Sequence, residues 1–449
     1  MTNSTSSQHM VAIIGAGPAG LFAARKLAES GVRVVMLNRD VKPGGLAEYG
    51  IYPNKLRLKG GLRAQFKKIL ASPLVDYYGN VSVCKVGGVM LEDLLESGFQ
   101  AVLVATGAQG TKWLNLPGET LPGVYHAKSL VYHYNRLPPF SQQKFLIGKR
   151  AAIIGIGNVM VDVARYLIKE REVEEVIAVA RRGPGEAKFT TEELESVAGN
   201  LDLAALDAEF SRVSPIISSV GQDGEKIKQK FLEARPAANE PASKARFRFE
   251  FLSSPARVLG DWLNGVSGLE VEDNILVEAG DQLKARGTGK TRKIELDTVI
   301  FAIGDAVDVN FCLSVCGNSY MSAAEPSFPV DGVSFEACNP ETKQAIEGIF
   351  LVGWARRPST GLVGNARRDG EMAAKSILQY LPMKQPVPDS ESLLSRFVAR
   401  LKETQVRVVD QAHLAKLEEA ERATAASMKV EDFKFLSNEE MFAAMELEK

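Results

Sequence analysis

The stretch MVAIIGAGPAGLFAARKLAESGVRVVMLN, residues 10–38, decides the fold. Residues 11–14 are short, apolar and β-prone. Gly15, Gly17 and Gly20 then break the chain in a tight turn. Residues 21–28 are good helix formers, Gly31 ends the helix, and residues 32–37 read as a second strand. Strand, glycine turn, helix and strand make one βαβ unit. In such a turn the first glycine makes the bend, the second lets the backbone approach a pyrophosphate, and the third allows close helix–strand packing. The helix N-terminus faces the phosphates.

The same grammar returns in KRAAIIGIGNVMVDVARYLIKEREVEEVIAVARR, with strands at 151–154 and 176–180 around the turn of Gly155 and Gly157. Met160 takes the third glycine's place, which sets helix and strand further apart. Each unit is followed by a strand ending in small residues, FQAVLVATGA (99–108) and DTVIFAIGDA (297–306). The order predicts an α/β chain of two nested Rossmann-like three-layer domains. Residues 10–108 and 322–449 form the outer domain, with a helical C-terminal tail from about residue 387, and 109–321 form the inserted one.

A length of 449 residues suits two or three domains at roughly 150 residues each. Lys+Arg number 54 and Asp+Glu 55, a net charge of −1, so no global field favours nucleic acid and docking needs a local patch. No apolar run reaches the roughly 20 residues that span a bilayer. The lead MTNSTSSQHM is polar and lacks the pattern of a signal peptide. The four cysteines, Cys84, Cys312, Cys316 and Cys338, fit a reducing compartment without structural disulfides, so a cytoplasmic location is expected. Cys312 and Cys316 do not form a C-x-x-C pair, and the scattered His9, His126, His133 and His413 hold no metal. Residues 221–245 are polar and read as an exposed excursion. In the tail, Leu393, Leu394, Phe397, Val398 and Leu401 share one helix face, and Ser437 to Glu440 form a capping box.

The two turns imply two dinucleotides. Asn38 stands where an acid commonly grips a ribose, with Asp40 two residues on. After the second unit come Arg181 and Arg182, with no carboxylate. An acid there selects NAD, whereas arginines suit the 2′-phosphate of NADP. FAD in the first site and NADPH in the second let a hydride pass from nicotinamide to flavin N5, and no hydrolytic triad is needed.

GAGPAG, KPGGLAEYGIYP, GIGNVMVDVAR, ARRGPGEAKFTTEEL and FLVGWARRPSTGLVGNARRDG together resemble the ferredoxin–NADP reductases of the adrenodoxin-reductase type. The resemblance runs into the tail and rests most on Gly353-Trp354 followed by Thr360-Gly361. It implies that Gly15, Gly17, Ala19, Gly20, Asn38, Gly45, Leu46, Val83 (through its backbone) and Gly107 hold FAD. Trp354, Gly361, Leu362 and Val363 lie by the flavin ring. Gly155, Gly157, Asn158 and Val159 hold the NADP pyrophosphate, Arg181 and Arg182 its 2′-phosphate, and Glu193 its ribose, while Gly361 touches the nicotinamide end. The family places a histidine near the helix aspartate. Here Asp162 is present and Lys55 takes the histidine's position, and a Lys–Asp pair does not titrate near neutrality.

The implied partner is an acidic, transiently bound ferredoxin-like carrier. Lys55, Arg57, Lys59, Arg63, Lys67 and Lys68 form an acid-free run that matches it, joined by Lys226, Lys228 and Lys230 and by Arg356, Arg357, Arg367 and Arg368. Two alternatives remain open. One is the electron-input subunit of a larger complex, of the glutamate-synthase small-subunit type, against which stands the lack of cysteine before Gly15. The other is a non-enzymatic flavin-bound redox sensor.

Overall fold

The computed structural model describes residues 7–84, 88–171, 173–236, 240–280, 282–359, 361–403 and 407–447; Thr360 lies outside the described residues. The chain divides into two compact units. The first holds the residues up to Lys112, Asn135–Gln142 and Gly304–Lys449; the second holds Trp113–Tyr134 and Gln143–Ile303. Residues 304–321, placed in the inserted domain from sequence, therefore sit with the first unit.

The first unit opens with β1 (Met10–Ile14), α1 (Pro18–Glu29), β2 (Arg33–Asn38), α2 (Leu46–Tyr49), α3 (Leu56–Leu70), β3 (Val75–Gly79) and β4 (Ala101–Val104). The second unit contributes β5 (Val124–His126), β6 (Arg150–Ile154), α4 (Asn158–Glu170), β7 (Glu175–Val179), α5 (Thr191–Ala198), α6 (Gly224–Leu232) and β8 (Arg246–Glu250). It continues with β9 (Ser253–Asp261), β10 (Gly265–Ala279), β11 (Gln282–Ile294) and β12 (Thr298–Phe301). The chain then returns to the first unit with β13 (Glu336–Cys338), β14 (Ala345–Leu351), α7 (Val363–Tyr380), α8 (Ser390–Glu403), α9 (Gln411–Met428) and α10 (Asn438–Ala444).

In the first unit the sheet order is β13-β14-β4-β1-β2-β3, parallel except where β13 meets β14. β1, β2 and β4 are buried along their whole length, because a parallel sheet is covered on both faces. Their alternation sorts two cores. Val11, Ile13, Val34 and Met36 pack with α1 and α7 through Ala23, Ala373 and Ile377. Ala12, Ile14, Val35 and Leu37 pack on the opposite face with Phe99 and Phe397. The tail helix α8 buries Leu393, Leu394, Phe397 and Leu401, and Ser437 and Glu440 cap α10 reciprocally.

The second unit has a parallel sheet of order β5-β12-β6-β7-β8 and a separate antiparallel sheet β9-β10-β11. The excursion expected at 221–245 is not simply exposed. Asp223 accepts the Lys226 N–H at 3.0 Å to start α6, and Phe231 is buried against Phe210, Phe249 and Phe251. Phe231 is the helix's buried residue, and this single aromatic anchor is what charge counting misses.

Cys84 and Cys312 are joined as a disulfide, with Cα atoms 5.5 Å apart. The expectation of no disulfide is thereby corrected: the two lie 228 residues apart in sequence, and no local spacing signals their meeting.

A buried polar cluster fastens the tail to α2. Lys434 reaches Glu48 Oε1 at 2.8 Å and donates to the Glu48 carbonyl at 3.0 Å and the Asn135 carbonyl at 3.2 Å. Arg63 donates to both carboxylate oxygens of Glu48 and to Asp432. Burial works against the Glu48 carboxylate, but Arg63 and Lys434 outweigh it and hold its pKa well below the usual range. Burial pushes the Lys434 ammonium down to about 7 against the pull of Glu48. An unfolded Glu titrates near about 4.3, so this carboxylate's stabilisation is full above that pH and is lost as pH falls through the lower folded value. Glu48→Gln is expected to cost about 1–3 kcal/mol at pH 7, since Lys434 can shed its proton, and to flatten the acid loss of stability. Urea denaturation at pH 7 and at acid pH checks this. A variant as acid-sensitive as the parent refutes it.

Candidate functional site: two dinucleotide turns

Each parallel sheet ends in the same device. Gly15 leaves β1 at φ +105°, and a Cβ there would lie 2.5 Å from the Ala105 carbonyl oxygen at the end of β4. Gly155 leaves β6 at φ +116°, with its notional Cβ 2.5 Å from the Ala302 carbonyl oxygen after β12. Each turn's first amide donates to the end of the neighbouring strand, Gly15 N to Leu37 O at 2.7 Å and Gly155 N to Val179 O at 2.9 Å. Above Gly17 and Gly157 a Cβ would meet nothing within 4 Å. Two cradles result, each open at the N-terminus of a long helix, α1 and α4, where unpaired N–H groups and the helix dipole favour phosphate.

Around the first cradle the first unit gathers the expected FAD residues. Gly44 N donates to Ala16 O at 2.7 Å, bringing Gly45 and Leu46 at the start of α2 beside the turn. The notional Cβ of Gly353 lies 2.9 Å from Ala19 Cβ, so the Gly353-Trp354 turn abuts α1. Asp369 of α7 accepts the Gly353 N–H at 2.6 Å and pairs with Arg356, whose guanidinium lies over Phe335. Trp354 is half-buried, Gly361 and Leu362 are exposed, and Val363 begins α7. A cleft partly open to solvent is lined by Gly15, Asn38, Asp40, Val83, Thr106 and Phe311 among others. Gly107, at φ +69°, follows Thr106. The cleft lies at the carboxyl ends of β1 and β2, where open α/β sheets bind ligands.

Asn38 lines this cleft, yet its amide is engaged inward. Its Oδ1 accepts the Ala16 N–H at 3.0 Å, and its Nδ2 donates to the carbonyls of Asp40 at 2.8 Å and Lys42 at 3.0 Å. It ties the glycine turn to the loop after β2. Asp40, beside it, and Asp308 bring carboxylates to the cleft wall.

In the second unit, Asn158 and Val159 open α4, Asn158 Oδ1 accepts the Thr190 N–H at 3.3 Å, and Lys188 N donates to Ile156 O at 3.0 Å. The 188–193 segment is thus held beside the turn, with Glu193 in the first turn of α5. Arg181 is exposed and Arg182 half-buried just past β7. Their carbonyls are fixed by Asn274 Nδ2 at 2.7 Å and Leu252 N at 3.1 Å. Met160 is fully buried on the underside of α4. Lys55 precedes α3 in the first unit and Asp162 lies in α4 of the second.

The cationic run of α3 is smaller than its sequence implies. Lys59 is 2% exposed and donates to Asn135 Oδ1 at 3.1 Å, Arg63 is committed to Glu48 and Asp432, and Lys67 pairs with Glu418 at 2.6 Å. Lys228 pairs with Asp207 at 2.9 Å, Arg356 with Asp369 and Arg367 with Glu371 at 3.1 Å. A helix in a folded chain buries one face, and these cations fall on buried or paired positions that a charge count cannot separate.

Two dinucleotide cradles on one chain define a two-nucleotide oxidoreductase. In agreement, the family model for pyridine nucleotide-disulphide oxidoreductases matches residues 9–198. Mitochondrial NADPH:adrenodoxin oxidoreductase of Arabidopsis thaliana is 30% identical over 398 residues, covering 80% of this chain and 80% of that protein. NADPH-ferredoxin reductase FprA of Mycobacterium leprae is 29% identical over 452 residues, covering 92% of this chain and 93% of the relative. The solved structure of Mycobacterium tuberculosis FprA in complex with NADPH superposes with a TM-score of 0.79 at 26% identity, covering 98% of this chain and 99% of that one. The chain belongs to the ferredoxin–NADP reductases of the adrenodoxin-reductase type.

Proposed function

We propose that this chain is an oxidoreductase that carries FAD in its first unit, binds NADP(H) in its second, and passes electrons between NADPH and an iron–sulfur carrier protein. The twin glycine turns support this most directly, each with a φ above +100°, the same close approach to a neighbouring strand and the same open space before a helix. Bound FAD supplies the redox chemistry, taking a hydride from NADPH and giving up electrons singly. The chain's own residues bind and orient. The α1 N-terminus and Gly17 receive one pyrophosphate, and Asp40 offers an acceptor on the adenosine side of the cleft. Asp369 sets the Gly353-Trp354 turn beside the first site. The α4 N-terminus receives the second pyrophosphate, and Arg181 and Arg182 meet the 2′-phosphate. A Lys55–Asp162 ion pair, contact of Gly361 with the nicotinamide end and a cytoplasmic location belong to the same proposal. The carrier is acidic and meets the cations left exposed, among them Arg57, Lys68, Arg357 and Arg368.

Among the described residues no helix is long and apolar enough to cross a membrane, and no group of three or more His, Cys, Asp or Glu is placed to hold a metal ion. The test is anaerobic mixing of the flavin-loaded protein with NADPH and with NADH, followed by addition of a ferredoxin. Fast bleaching by NADPH, slow bleaching by NADH and reduction of the ferredoxin are expected. A flavin spectrum that neither nucleotide changes overturns the proposal.

A further inference from the structure

The cleft assigned to FAD has two walls, and a covalent bond joins them. Val83 lies on one wall and is followed by Cys84; Phe311 lies on the other and is followed by Cys312. The bond therefore sits one residue behind the lining on each side. A second observation points the same way. Cys84 is a non-glycine residue at φ +59°, a left-handed conformation that carries a steric cost and persists only where its surroundings impose it. Its N–H is held by the Val89 carbonyl at 2.8 Å, and the side chain is turned toward Cys312. Cys84 is 8% exposed, and Phe311 packs against Tyr320, another lining residue, at 5.3 Å between ring centroids.

We propose that Cys84 and Cys312 are a redox-active pair that clamps the adenosine end of the FAD cleft, closing it when bonded and loosening it when reduced. The inference rests on the reading of this cleft as the FAD seat. In the closing step two thiols give up two electrons and two protons to a disulfide oxidant of the glutathione class, and one Sγ–Sγ bond forms. In the opening step a dithiol, a small molecule or a thioredoxin-class protein, attacks that bond, leaves two thiols and becomes a disulfide itself. In a reducing compartment such a bond is transient and follows the thiol poise, as cytosolic redox-sensing cysteines do. The device sets how long the cofactor stays and leaves the electron-transfer chemistry alone. The pairing is not the C-x-x-C of flavin-linked disulfide reductases.

The holoprotein, treated with oxidised or reduced glutathione, is split into two samples. One is denatured without reductant and its free thiols are counted. The other is diluted, and FAD release is followed by the rise in flavin fluorescence. Of the four cysteines, two free thiols are expected after oxidation and four after reduction. Release is expected at least about 10-fold faster from the reduced form, since changes at a binding site appear mainly in the off-rate. Cys312→Ser is expected to release fast in both states, while Cys316→Ser, which removes an exposed cysteine, keeps the response. Four thiols in the oxidised sample overturn the proposal, as does a bonded, flavin-loaded protein whose release ignores reduction. A protein that takes up no FAD overturns the proposal together with the reading of the cleft, and the thiol count then shows whether the bond itself forms.

Discussion

A Gly15→Ala protein is expected to lose its flavin, whereas a Gly155→Ala protein is expected to keep the flavin and lose its response to NADPH. Both substitutions force an L side chain into φ above +100° and drive a Cβ to 2.5 Å from a backbone carbonyl oxygen. Neither neighbour can yield, because Ala105 follows β4 and Ala302 follows β12, each inside a buried parallel sheet. The turn itself must move. Strain of about 1–3 kcal/mol per position is the local cost. The functional cost is larger, because a shift of about 1 Å in a preorganised site can cost on the order of 10²-fold. Flavin content by absorbance, with circular dichroism to confirm folding, separates the two variants. A yellow Gly15→Ala protein with unchanged FAD retention removes the first turn from the cofactor site. A Gly155→Ala protein bleached normally by NADPH removes the second.

The Arg181→Gln, Arg182→Gln double variant is expected to lose its preference for NADPH over NADH. Both backbones stay anchored through their carbonyls, so the strand end keeps its path and only the two guanidinium groups are removed. A charge-assisted hydrogen bond contributes about 1.5–3 kcal/mol, so the pair together favours NADPH by on the order of 10²–10⁴-fold. The loss falls on the apparent affinity for NADPH, while reduction by NADH and the maximal rate of flavin reduction change little. Stopped-flow bleaching across a series of concentrations of each nucleotide resolves the two quantities. An equal loss for both nucleotides places the arginines on the pyrophosphate or in the fold, and no loss at all leaves them as solvated surface.

Much of this architecture was legible from residue order. Parallel strands are apolar along their length, glycine turns are local, and a helix follows each, so the strands of both βαβ units lie within a residue of their sequence limits, while the first helix starts at Pro18, three residues before the expected position. The nested arrangement followed from the two small-residue strand ends, at Ala105 and Ala302. Three things were not legible. Asn38 stands at the ribose position by its place in the strand, but its amide turns inward to Ala16 and the Asp40–Lys42 loop, and only the folded loop reveals that. Lys59 and Arg63 read as part of a cationic surface, yet they serve buried partners, one of them Asp432 at a separation of 369 residues. Cys84 and Cys312 are paired across 228 residues. Pattern reading works where neighbours in space are neighbours in sequence, whereas Asp432 and Cys312 arrive from far along the chain and Asn38 is turned inward by the fold of its own loop. The antiparallel sheet β9-β10-β11 escaped for a different reason: it carries charges such as Lys284, Arg286 and Lys293 along its strands, so no apolar run announces it.

The seating of Lys434 between Glu48 and the Asn135 carbonyl has a consequence for the order of synthesis. The glycine turn and α2 leave the ribosome early, but the ammonium that buttresses them is made 386 residues later than Glu48. At about 5–20 residues per second that is a delay of roughly 20 to 80 s. β4, likewise, waits for β14 to cover its open edge. During translation the first unit is a half-built sheet with an exposed strand edge, a state prone to wrong pairing. The second unit, whose strands β5 to β12 are complete well before then, can fold in the meantime. The nascent protein therefore gains its nucleotide-binding insert first, and its flavin seat becomes firm only when the last helices have emerged.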